Sequence, residues 1–174
     1  MLKDAGVATP VKFSISYADN ALQGAEEANE LARQLNASGL FQVTVDKVSG
    51  GLGALQTGWS ADKYAAFTES WSPDYPDADD YVTPFVGAQN VYNTHYVNSQ
   101  ISDQLVPETQ RAADRTAANT PFAQIQSQYA QDAVYIPLYQ DKQYLAVQSN
   151  ITGVPLTLDV TGIFRIWVVG KASN

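Results

Sequence analysis

The residues best placed to do chemistry form one short segment, Trp71-Ser-Pro-Asp-Tyr-Pro-Asp77, followed by Asp79 and Asp80. Carboxylates this dense can do three things. They can bind a hard cation, since oxygen ligands suit calcium. They can act as a glycosidase pair, one acid protonating while the other attacks or activates water. They can anchor a cationic group of a ligand through charge-assisted hydrogen bonds. A calcium loop of the EF-hand type needs acids at alternate positions, a central glycine and a terminal glutamate. The run Asp74-Tyr-Pro-Asp-Ala-Asp-Asp80 has neither the glycine nor the spacing. A glycosidase pair needs a set separation that adjacent residues cannot supply by themselves. Asp77, Asp79 and Asp80 are also explained as helix-capping acids. Asp74 differs, because it lies between two aromatics, Trp71 and Tyr75, just after an expected strand. In open α/β sheets ligands gather beyond the carboxyl ends of strands. Asp74, Trp71 and Tyr75 are therefore the candidate ligand-facing residues.

Other chemistry is sparse. His95 is the single histidine and sits in a loop-like stretch, Tyr92-Asn-Thr-His-Tyr96, with no G-x-S-x-G elbow in the chain. Without cysteine there is no disulfide, thiolate metal site or cysteine nucleophile. The glycines of Ser49-Gly-Gly-Leu-Gly53 match neither a dinucleotide fingerprint nor a phosphate-binding loop, and no GK[ST] occurs. These readings predict neither an enzyme nor a bound cofactor or metal. The net charge of −8, with ten scattered Lys and Arg, argues against a nucleic-acid partner, which needs a clustered basic surface.

The elements that must position the loop follow from periodicity. Val11, Phe13, Ile15 and Tyr17 alternate with polar residues, which predicts a half-buried strand. Asn20 with Gln23 resembles a capping box, and Leu22, Ala25, Ala28, Ala32 and Leu35 share one helical face. Asn36-Ala-Ser-Gly39 closes that helix, and Phe41, Val43 and Val45 begin a second strand. Strand, helix and strand in this order form a βαβ unit. Tyr64 to Trp71 reads as a third strand, and Pro73 and Pro76 force a loop after it. Gly87, Asn90, Asn93 and Asn98 mark an irregular stretch. Asn98 or Ser99 then caps a helix carrying Ile101 and Leu105, which Pro107 breaks or restarts. Thr120-Pro121 reads as an N-cap with proline at the first helical position, opening a helix striped by Phe122, Ile125, Tyr129 and Ala133. Tyr135–Tyr139 and Gln143–Val147 read as strands.

A chain of 174 residues that is 45% hydrophobic suits one domain with or without a tail. No apolar run approaches the roughly 18 residues of a membrane span. The start, Met1-Leu-Lys-Asp, carries no basic segment followed by an apolar stretch, so no secretory signal is read there. A piece cut from a longer precursor would lack one equally.

Four segments carry a resemblance. Ala61-Asp-Lys-Tyr-Ala-Ala-Phe-Thr-Glu-Ser-Trp71 is similar to a strand leading to tryptophan. Ser72-Pro-Asp-Tyr-Pro-Asp-Ala-Asp79 resembles an "ADYPDPD" segment. Tyr96-Val-Asn-Ser-Gln-Ile-Ser-Asp103 resembles "YSNPEVD", with Ser99 where proline is usual. Ala130-Gln-Asp-Ala-Val-Tyr-Ile-Pro-Leu-Tyr139 resembles "AEDAPYIPLY", with Val134 in place of proline. In this order they resemble the extracellular solute-binding proteins that serve peptide, oligopeptide and nickel ABC importers.

The resemblance implies an α/β fold: a single lobe of the type II periplasmic-binding-protein kind, with a central, mixed but mostly parallel sheet flanked by helices and an irregular C-terminal tail. Residues 1–143 would form the C-terminal lobe of a two-lobed protein that closes on ligand like a hinged clamp. Residues 144–174 would be a return segment packed on a first lobe absent from this chain, and exposed Ile163, Phe164, Ile166 and Trp167 would then favour self-association. The implied partners are a peptide or other small solute and a membrane permease. The implied location is extracellular, at the cell surface as a lipoprotein or in a periplasm. The acid of the family's W-x-x-D-Y motif, here Asp74, would pair with the ligand's α-amino group while Trp71 lines the pocket. Sugar- and nickel-binding relatives use other pocket residues. A carbohydrate-binding or glycosidase-like module and a calcium-stabilised interaction domain are the competing readings.

Overall fold

The alternation at the N-terminus becomes strand β1 (Val11–Ala18), and that at Phe41 becomes β2 (Phe41–Val48). The two run parallel in an unbroken register from Val11 opposite Phe41 to Ala18 opposite Val48. The helix between them, α1 (Gly24–Ala37), completes the predicted βαβ unit. A third parallel strand, β3 (Ala66–Phe67), joins the other side of β1, giving the order β2-β1-β3. This computed structural model describes residues 1–87, 90–92 and 94–172. Asn93, read as a turn former, lies outside them. The chain divides into two compact units, one of residues 1–70 with Tyr92 and Thr94, the other of residues 71–91 and 95 onward.

In the first unit, side chains alternate across the sheet as a two-residue period requires. Ile15 and Val43 turn toward α1 and meet Ala28 and Ala32, with Leu31 and Leu35 at the border. Alanines at the contact let the helix lie close to the strands. Ala18 and Val48 point the other way, against Leu55 and Trp59 of α2 (Gly51–Trp59). Trp59 stacks on Phe67 at 4.9 Å between ring centroids. Helices thus cover both faces, as a parallel sheet needs. The outer edge of β2 is blunted by Asn36, whose side-chain amide bonds both backbone groups of Val43, at 3.0 and 2.7 Å.

Several sequence expectations are corrected. Asn20 and Gln23 do not form a capping box: α1 begins at Gly24, after Gln23 in a left-handed conformation with no side-chain cap. Asp19 and Asn20 reach forward instead. Asp19 accepts from the backbone N–H groups of Gly50 and Gly51 at 3.3 and 2.8 Å, and Asn20 from Leu52 at 3.1 Å. They satisfy the orphan donors that open α2. Leu22, expected on the buried face of α1, precedes the helix and is 92% exposed. The third strand, expected over Tyr64 to Trp71, pairs with β1 over only Ala66 and Phe67.

In the second unit, a π-helical turn (Ile101–Leu105) leads into α3 (Val106–Arg111). Pro107 restarts the helix: its missing N–H removes one bond, and the turn before it widens to carry the Val106 N–H to Ile101. Asn98 caps this start, as expected, through Oδ1 on the N–H groups of Gln100 and Ile101. The last long helix, α4 (Arg115–Asp132), starts earlier than Thr120-Pro121 indicates. Asp114 caps it, accepting from Ala117 N–H at 2.9 Å, and Pro121 is buried within it. Phe122 and Ile125 pack with Val82, Ile101, Leu105, Val106 and Ala118 into one core. Ala133, read as part of the stripe, is instead the left-handed residue ending the helix.

Tyr135–Tyr139 and Gln143–Val147 pair with no strand among the described residues. Tyr135 is half-buried, but the apolar side chains that follow it in these segments stand in solvent, Ile136 at 74% exposure. The remaining pairing is a two-residue antiparallel contact of β4 (Ile151–Thr152) with β5 (Gly170–Lys171). Ile163, Phe164, Ile166 and Trp167 are all exposed, Trp167 at 73%.

Candidate functional site

Several residues of the loop from Trp71 to Phe85 are tied to one another by side-chain bonds. Pro73 and Pro76 have no N–H to donate, so backbone bonding is limited to short 3-10 turns and side chains supply further connections. The Trp71 indole N–H donates to the Asp80 carbonyl at 2.9 Å, and its ring meets Phe85 edge-on at 5.1 Å. Phe85 in turn packs on Tyr135 at 5.5 Å, and the Tyr135 hydroxyl donates to the Phe85 carbonyl at 2.9 Å.

The four acids divide their labour. Asp77 is the cap that the sequence indicates: it accepts from Asp79 N–H at 2.9 Å at the head of a short 3-10 helix (Ala78–Tyr81), and Arg115 pairs with its other oxygen at 2.9 Å. Asp79 is no cap. It accepts the Tyr75 hydroxyl at 2.8 Å and the Thr83 hydroxyl at 2.7 Å. Asp80 is also no cap. Its carboxylate is buried, at 3% residue exposure, and accepts from Asp74 N–H at 2.6 Å. Asp74 itself is exposed, and among the described residues no group donates to its carboxylate. One acid of the four thus faces solvent.

Tyr75 is 42% exposed, so its ring borders solvent while its hydroxyl serves the loop. Donation to Asp79, helped by partial burial and by the surrounding acids, pushes its pKa up to about 12. Trp71, Asp74 and Tyr75 therefore share one braced loop, Trp71 and Tyr75 with their polar atoms engaged and Asp74 with its own open. A shallow groove of about 290 Å³ lies along the loop, lined by Pro76, Asp77, Ala78, Tyr81 and Val160. A slightly larger one, about 310 Å³, lies on the polar half of the sheet in the other unit, among Lys12, Ser14, Gln42, Thr44 and Asp46. Size does not decide between them; the chemistry of the loop does.

Behind the loop the sequence gives no sign of a second polar centre. Asp132 accepts from the Tyr96 hydroxyl at 2.5 Å, from Asn98 at 2.9 Å and from Gln128 at 2.8 Å. These donors, Tyr96 foremost, hold its carboxyl below the usual range. Burial, then Asp132, raises Tyr96 to about 12, and burial raises Tyr129 further. The segment Ala130–Tyr139 is recognisable in sequence, but its spacing does not reveal that Asp132 ties α4 to Tyr96 and Asn98. His95 is exposed, with a left-handed φ of 55°. Among the described residues no three His, Asp or Glu side chains converge to hold a metal ion. Nor is any helix among them long and apolar enough to cross a membrane.

No protein-family model matches the sequence, and no curated protein does. Solved structures do match. The chain is similar to Haemophilus influenzae OppA in complex with RPPGFSPFR, at TM-score 0.69 and 19% identity, over 99% of this chain and 33% of that one. It is similar to the dipeptide-binding protein of Pseudoalteromonas sp. SM9913 in complex with Met-Leu, at TM-score 0.69 and 18% identity, over 98% and 34%. It is similar also to HbpA2 of Haemophilus parasuis, at TM-score 0.76 and 16% identity, over 99% and 34%. The chain therefore spans about a third of the length of these proteins. At such identities the likeness establishes the fold: an α/β lobe of the type II periplasmic-binding-protein kind, its mostly parallel sheet flanked by helices.

Proposed function

We propose that this chain is the C-terminal lobe of an extracellular solute-binding protein of the peptide, oligopeptide and nickel ABC-importer family, and that it captures peptide-like solutes without catalysis. The observation that carries this reading is Asp74: an exposed carboxylate without a donor, on a loop whose other acids are all engaged. An ammonium group carries three donors, and a carboxylate accepts several. The α-amino group of a peptide is thus its natural complement. Trp71 supplies a flat wall and a face suited to a cation, and Tyr75 a second aromatic border. The quoted motifs and the fold likeness to peptide-complexed proteins support the same assignment.

Residues 1–143 form the lobe in this reading, and residues 144–174 return to a first lobe supplied by a longer parent chain. The exposed apolar groups at Ile163, Phe164, Ile166 and Trp167 support that arrangement, since a first lobe would cover them. Without it, they would drive self-association. The further partner is a membrane permease, and the location is extracellular, as a surface lipoprotein or in a periplasm.

The test is calorimetric titration of peptides into the two-lobed parent and its Asp74→Asn variant. Removing one partner of a desolvated charge pair costs about 2–5 kcal/mol, so the variant should bind at least tenfold more weakly. Equal affinity would remove Asp74 from the ligand site. Binding of saccharides in place of peptides would favour the carbohydrate reading.

A further inference from the structure

We infer that Asp80 is the positioning residue of the ligand loop, fixing Asp74 through its carboxylate and Trp71 through its carbonyl; this rests on the peptide-binding reading above. An ionised carboxylate taken out of water must be held by donors or it neutralises. Asp80 is buried, and the donor it meets is the Asp74 amide, at 2.6 Å. A backbone N–H on a carboxylate is a charge-assisted hydrogen bond, stronger than one between neutral groups. The same residue's carbonyl receives the Trp71 indole at 2.9 Å. One residue therefore grips two of the three candidate ligand residues, six and nine positions earlier in the chain.

No neighbour can take over this grip. Asp77 is committed to Asp79 N–H and Arg115, and Asp79 to the Tyr75 and Thr83 hydroxyls. Pro76 has no N–H to close the loop differently. The bond on its backbone nitrogen restrains Asp74, so its carboxylate is presented from a steadied base. A ligand amine then meets a preorganised acceptor, and preorganisation is where such a site gains affinity and selectivity.

The design of the loop supplies its own control. Replacing Asp80 removes the grip on Asp74 but leaves the carbonyl that holds Trp71. Amide exchange on this chain reads the two separately. Asp80→Ala should speed exchange at the Asp74 amide about tenfold or more, while the Trp71 indole stays within about twofold. Asp80→Asn, which keeps an acceptor without the charge, should recover part of the protection. In the two-lobed parent, trialanine and N-acetyl-trialanine are titrated in parallel. Wild type should prefer the free amine, and Asp80→Ala should lose about tenfold of that preference with Asp80→Asn intermediate. Where Asp80→Ala loses the Trp71 signal too, Asp80→Asn decides by the same two readouts. An unchanged amine preference beside a preferring wild type overturns the role of Asp80 alone. A wild type that binds neither peptide, or both equally, overturns this inference together with the reading it rests on.

Discussion

Asp74 and Asp80 stand six residues apart in a run that sequence reads as uniformly acidic, yet one is open to solvent and the other is enclosed. The loop and its aromatics are legible in the order of residue types. The burial of Asp80 is not, because Asp-Ala-Asp-Asp carries no periodicity that marks one acid as inward. The tyrosines give a prediction at this scale. Tyr75 and Tyr96 are raised to about 12, each through a bond to a carboxylate and some burial. A phenol raised in the folded state contributes stability that is complete below its unfolded pKa, about 10, and is lost as pH climbs through the folded value. An absorbance titration should therefore show late-ionising tyrosines and unfolding between about pH 10 and 12. Asp79→Asn should bring Tyr75 down toward the ordinary range. Early ionisation of all ten tyrosines would contradict the bonds to Asp79 and Asp132.

At the scale of elements, local pattern succeeds where an element is long and amphipathic. β1, α1 and β2 are read nearly to their ends, since alternation and helical spacing act within each segment. Pattern fails where a distant partner decides. Asp19 and Asn20 look like the cap of the helix they precede, but their acceptors serve α2, some thirty residues on. Replacing Asp19 by Ala should therefore cost about 0.5–2 kcal/mol in chemical denaturation and loosen the start of α2 rather than α1. Thr120-Pro121 has the letters of a helix start, yet Asp114 offers the better cap and the buried face of α4 continues through the proline. Ile125, fully enclosed on that face, should cost about 2–5 kcal/mol when replaced by Ala. A loss below about 1 kcal/mol would mean that α4 does not seat on its core as described. Tyr135–Tyr139 and Gln143–Val147 have strand composition but no ladder, because β-propensity expresses neighbours that these segments do not meet here.

For the whole molecule, the fold is that of one lobe, and the chain spans about a third of the proteins it resembles. Exposed apolar side chains are frequent after Tyr135, and in the proposed reading a first lobe would cover them. The proposed function reduces at this scale to whether a ligand amine and Asp74 recognise each other. A double-mutant cycle isolates that pair. Wild-type parent and Asp74→Asn are each titrated by calorimetry with a free peptide and its N-acetylated form, and the coupling between the two changes is taken. A coupling of about 1.5 kcal/mol or more is expected, the free amine losing its advantage when the carboxylate is gone. Coupling indistinguishable from zero, with all four affinities measurable, would contradict it.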